Sequence, residues 1–106
     1  MTLSEFFIAT YEPENKYQRR PRIHCNDGFH MSVQAGWGAY SAPREHGDTF
    51  MAYEIGFPSD VEPLLMPHAE DEDRPTDTVY AYVPFEVVEA VIEKHGGINA
   101  RLTFAK

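Results

Sequence analysis

The sequence has a single cysteine, Cys25, so no internal disulfide can form. No apolar run approaches the roughly 18 residues that a membrane span needs, and Met1-Thr2-Leu3-Ser4-Glu5 lacks the basic start and apolar core of a secretion signal. These absences lead to the expectation of a reducing, cytoplasmic setting. Positive charge is also scarce, with 9 basic residues against 17 acidic ones and a net charge of −8. The excess lies in the second half. Residues 54–106 hold 11 acidic and 4 basic residues, a balance of −7, whereas residues 1–53 hold 6 and 5. A chain this acidic is repelled by nucleic-acid phosphates, while attraction to a basic protein surface is favoured. Solubility alone is the commoner reason for such a balance. The expected partners are thus proteins, with no direct nucleic acid and no membrane.

What is present is the composition of an ordinary folded domain: 106 residues, 42% apolar and 13% aromatic. Two independent cores would leave each half too small to bury enough apolar surface, so we expect one domain over residues 1–106.

Leu3 to Tyr11 is rich in strand formers and reads as a strand stopped by Pro13. Arg22-Ile23-His24-Cys25, then Asn26-Asp27-Gly28, then Phe29 to Gln34 gives a β-hairpin signal, with Phe29, Met31 and Val33 on one face. Ala35 to Asp48 reads as irregular. Phe50–Phe57 and Thr78–Val83 are further strands. From Pro58 to Asp77 the chain carries four prolines and seven acids around a short apolar island, Pro63-Leu64-Leu65-Met66-Pro67. A loop of this length is uncommon in a compact domain unless it is functional or mobile, and the island predicts that it is pinned at its middle. The clearest element is a helix from about Pro84 to His95. Val87, Val88, Val91, Ile92 and His95 share one stripe, Pro84 suits the first turn, and Gly96-Gly97 supplies the stop. Arg101-Leu102-Thr103-Phe104 reads as a last short strand. The fold class is therefore α+β: a small, mostly antiparallel sheet of four to five strands with one main helix packed on one face.

No catalytic motif stands out. His24, Cys25 and His30 sit on two arms of one hairpin and are metal-ligand types, yet strand alternation turns His24 and Cys25 to opposite faces, and stereotyped zinc spacings are missing. A packed thiol beside surface histidines is the preferred reading. Arg19, Arg20 and Arg22 form the one basic cluster, for which pairing with the protein's own acids is the ordinary fate. Glu70-Asp71-Glu72-Asp73 lacks the alternate spacing and turn glycine of a calcium loop. It reads instead as a solvated acidic loop or a docking element for a basic partner, with Leu64, Leu65 and Met66 as a nearby apolar anchor. Trp37 and Tyr40, in a glycine-rich stretch, and Tyr53 are the other contact candidates, with a core anchor as the equal alternative for the single tryptophan.

Cys25-Asn26-Asp27-Gly28-Phe29-His30-Met31-Ser32-Val33-Gln34-Ala35, together with Tyr53–Ser59, Glu62–Leu65, Pro75–Tyr80 and His95–Ile98, resembles small uncharacterised proteins of tailed bacteriophages and prophages. The resemblance implies an accessory role in the cytoplasm of a bacterial host and carries no functional residue with it. The sequence is thus read as a non-enzymatic protein with neither cofactor nor metal. The expectation is that it binds a host protein, such as a nucleic-acid-handling or defence factor that it would inhibit, through an acidic surface. The alternative is a small structural or homodimeric protein joined through a strand edge or the aromatic surface.

Overall fold

The computed structural model describes residues 1–105. The chain runs α1 (Leu3–Ala9), β1 (Ile23–His24), β2 (His30–Gln34), β3 (Ala52–Gly56), a 3-10 turn (Met66–His68), β4 (Val79–Pro84), α2 (Phe85–Lys94) and α3 (Ala100–Thr103). The four strands form one antiparallel sheet in sequence order, β1-β2-β3-β4. The α+β class, the hairpin and the main helix are as the sequence led us to expect.

Two segments differ. Leu3–Tyr11 is not a strand. Thr2 caps a helix there: its Oγ1 accepts from the Glu5 N–H at 3.1 Å, and Glu5 Oε1 accepts from the Thr2 N–H at 2.7 Å. This reciprocal pair satisfies two otherwise orphaned donors. The buried residues are Leu3, Phe6 and Phe7, at helical spacing rather than alternate positions. Thr2→Ala is expected to cost about 1 kcal/mol by losing the cap, read as a lower urea midpoint with unchanged slope. Arg101–Phe104 is likewise not a strand. Asn99 caps α3 by accepting from the Leu102 N–H at 2.9 Å.

One face of the sheet carries Met31, Val33, Tyr53, Ile55, Tyr80 and Val83, all buried. α2 packs against β3 and β4, placing Val88, Val91 and Ile92 in the same core. It begins one residue later than expected, because Pro84 closes β4 and stands outside the first turn. α1 fills the remaining space. The Phe7 ring lies 4.9 Å from Tyr53 and 5.7 Å from Phe50, edge to face in both pairs, the arrangement aromatic quadrupoles favour.

Neither outer strand edge is bare. At β1, Cys25 bridges Ile98, the Asn99 N–H donates to the His24 carbonyl, and the His24 N–H donates to Thr103 Oγ1. At β4, Ala69 bridges Tyr80 and the Glu70 N–H donates to the Val79 carbonyl. The strand-edge route to a homodimer is occupied by the chain itself at these positions.

Candidate functional site

The acidic loop is held from below. Leu65 is fully buried, and the 3-10 turn that follows keeps Met66 half-buried against the core. Beyond it, Ala69 and Glu70 bond to β4, the Asp73 N–H donates to Asp71 Oδ1, Arg74 pairs with Asp77, and the Tyr80 hydroxyl donates to the Pro75 carbonyl. Glu70, Asp71, Glu72 and Asp73 are exposed on this ordered frame. None of the four has an ion-pair partner among the described residues. The apolar island divides accordingly: Leu64 is 41% exposed, while Leu65 is an internal peg and not a contact residue.

Trp37 and Tyr40 are both at the surface, whereas Tyr53, expected as a contact residue, is buried in the core beside Phe7 and Phe50. Trp37 is 56% exposed and meets Tyr17 edge to face at 4.7 Å, with Lys16 Nζ 5.7 Å from its ring. Tyr40 is 42% exposed and lies 6.0 Å from the exposed ring of Tyr82. The Tyr40 N–H donates to Glu54 Oε2, and its carbonyl accepts from the Tyr82 N–H. The Tyr40/Tyr82 pair and the acidic loop are therefore fastened to the same strand, one at residue 82 and the other at residues 79 and 80. At a strand's rise per residue these attachments, two to three residues apart, are separated by about 7–10 Å of backbone.

The basic cluster has a different fate from the expected pairing with acids. Arg20 is buried, its guanidinium 4.2 Å from the Phe7 ring and bonded to Thr10 Oγ1 and the carbonyls of Phe7, Ala35 and Gly47. Arg22 donates to His30 Nδ1 at 3.0 Å and to the carbonyls of His30 and Phe57. His30 must accept through that nitrogen, so its neutral form is favoured. Burial first, and then the neighbouring Arg22 and His24, lower its proton affinity. The His24 and His30 rings stack at 4.8 Å across the two strands. Cys25 points into the core, where burial and Asp27 push its thiol up to about 11. A thiol in that state is a poor nucleophile at neutral pH. Among the described residues no three His, Cys, Asp or Glu side chains are grouped to hold a metal ion.

Sequence reasoning missed one constellation. His95, at the C-terminal cap of α2, bonds two carboxylates at once: Nδ1 is 2.6 Å from Asp27 Oδ2 and Nε2 is 2.7 Å from Glu62 Oε1. Its ring stacks on Phe29 at 4.1 Å and 12°. Glu62 is only 1% exposed and also accepts from Lys94 Nζ at 3.1 Å and from the Leu64 N–H at 2.8 Å. Burial pushes the Glu62 carboxyl up, but the bonds from Leu64, His95 and Lys94 outweigh it and hold the group below the usual carboxylate range. Asp27 is lowered by the Phe29 N–H and by His95. Burial works against the His95 charge, and the two carboxylates overcome it, raising its proton affinity. As the imidazolium, with both ring nitrogens committed, His95 has no lone pair to offer as a general base. The signal in the sequence is slight: one acid, Glu62, between Val61 and Pro63 at the head of an apolar island.

Searches of protein-family models, of curated proteins and of solved structures find no match to this chain.

Proposed function

We propose that this chain is a non-enzymatic binding protein that covers a basic surface on a partner protein with its acidic loop and the adjoining Tyr40/Tyr82 pair. The observation that carries the reading is the ordered frame beneath Glu70–Asp73. Four exposed acids, without an ion-pair partner among the described residues, are held by Leu65, by the bonds to β4 and by the Arg74–Asp77 pair. A contact surface ordered before binding loses less conformational freedom on association. The exposed rings beside it supply the kind of side chain that anchors interfaces, and the acids supply steering and register. The buried high-affinity thiol and the doubly bonded imidazole weigh against chemistry at Cys25 and His95. On this reading the partner is a bacterial host protein that normally meets acidic ligands, such as a nucleic-acid-handling or defence factor, and the encounter takes place in the host cytoplasm.

Capture of partners from bacterial lysate, followed by titration calorimetry with the purified partner, tests it. Reversing all four acids (Glu70→Lys, Asp71→Lys, Glu72→Lys, Asp73→Lys) is expected to weaken binding at least about tenfold, equivalent to about 1.4 kcal/mol. Wild-type affinity is expected to fall as salt rises. An affinity indifferent to both changes rejects the electrostatic interface.

A further inference from the structure

His95 is where three distant segments meet: the turn between β1 and β2 through Asp27, the loop after β3 through Glu62, and the end of α2. Carboxylate oxygens only accept, so the observed geometry requires a hydrogen on both ring nitrogens, which is the imidazolium. Lys94 is the second cation, 3.0 Å from Glu62. Asp60 joins Asp27, Phe29, Ser59, Val61 and His95 around an open recess of about 400 Å³. Asp27, Glu62, Asp60 and Lys94 are thus the charged groups around the ring, and Cys25, close enough to feel Asp27, remains a neutral thiol.

A neutral ring has one N–H for two carboxylates. The two are not equivalent. Glu62 is closed off from water, so losing the His95 N–H would leave a buried carboxylate with Lys94 and the Leu64 N–H alone and no water to replace the third donor. Asp27 is 49% exposed and keeps the Phe29 N–H on its other oxygen. We propose that His95 is a proton-operated latch: as imidazolium it ties the β1–β2 turn to the loop after β3, and on deprotonation it keeps Glu62 through Nε2 and releases the Asp27 carboxylate into the recess. The turn itself stays in place. The Asn26 N–H still donates to the Gly97 carbonyl, the Asp27 N–H to the His95 carbonyl, and Asn26 Nδ2 to the Gly96 carbonyl. Release is therefore local, adding a free carboxylate beside Asp60. The latch stands whether or not the acidic loop has the partner proposed above.

The linkage has a definite sign. Because His95 is raised in the fold, its contribution to stability is fully present below the ordinary imidazole value of 6.5 and is lost as pH rises through the raised value. Asp27 and Glu62 are lowered, so theirs is present above the ordinary values of 3.8 and 4.5 and is lost as pH falls through the lowered ones. These are one set of contacts seen from both sides and count once. The latch is closed from the lowered carboxylate values, which lie below 3.8 and 4.5, up to the raised midpoint of His95.

Nitrogen-detected NMR of the histidine side chains across pH tests this on the full chain. The expected result is a His95 midpoint above 6.5, a neutral His95 ring with its hydrogen on Nε2, and a His30 midpoint displaced the other way. In Asp27→Asn the new amide keeps the Phe29 bond and can donate to the neutral Nδ1. The His95 midpoint should then fall by about half a unit or more, whereas Asp60→Asn should move it less. A neutral wild-type ring protonated on Nδ1, or a wild-type midpoint at or below 6.5, overturns the latch without reference to any variant. So does an unmoved midpoint in Asp27→Asn.

Discussion

Glu62→Ala is expected to destabilise the fold by about 3 kcal/mol, the lower end of the range for removing one member of a buried charged pair. Three donors converge on this carboxylate: the Leu64 N–H, Lys94 Nζ and His95 Nε2. Truncation leaves the backbone donor without an acceptor inside the protein. Lys94, 47% exposed, turns to water at small cost, and His95 falls back on Asp27 alone. These escapes place the effect at the low end. Glu62→Gln keeps the shape and one acceptor oxygen, so it should fall between wild type and alanine. Lys94→Met should cost less than either. Urea unfolding followed by far-ultraviolet circular dichroism ranks the three, and a Glu62→Ala loss under 1 kcal/mol would contradict the burial of this carboxylate.

Leu65→Ala is the second large effect, expected at about 2–5 kcal/mol from lost transfer energy and the cavity left behind. Leu65 is fully buried, whereas its neighbour Leu64 lies largely at the surface. Leu64→Ala should therefore be close to neutral for stability. The contrast also separates two roles in binding. Loosening the peg beneath Glu70–Asp73 should weaken a partner's affinity at a temperature where the variant remains folded, although Leu65 itself meets no solvent. Leu64→Ala should weaken it only through a lost surface contact. Equal effects of the two on both stability and affinity would remove the distinction.

How far the sequence could be read depends on the range of the interaction that decides each element. The hairpin was legible because Asp27-Gly28 and the alternation of Met31 and Val33 are local, and Gly28 does adopt a φ of 97°. α2 was legible because its stripe and its stop lie within a dozen residues. α1 was misread although its cap was visible as Thr2 and Glu5 three residues apart; the aromatic pair Phe6-Phe7 carries high strand propensity, and the cap outweighed it. α3 is one short turn held by Asn99, too brief for periodicity to register. The His95 constellation was not legible, since Asp27 lies 68 residues and Glu62 33 residues from it in sequence. The arginine cluster gave the opposite lesson. Neighbours in sequence parted in space, with Arg20 taken into the core and Arg22 spent on His30 and Phe57.

The bonds from Ala69 and Glu70 to β4 give the acidic loop a second duty. An uncovered outer strand offers a row of donors and acceptors to any other chain, which is how sheets grow into aggregates. Here the loop lies along that row, and α3 with its cap does the same at β1. Excising residues 69–77 to abolish partner binding would therefore also unseal one end of the sheet. Such a deletion should clump in a concentration-dependent way, with the like charges of Glu70–Asp73 no longer present to keep copies apart. Point substitutions in the loop are the safer instrument, because they alter its charge and leave the seal in place.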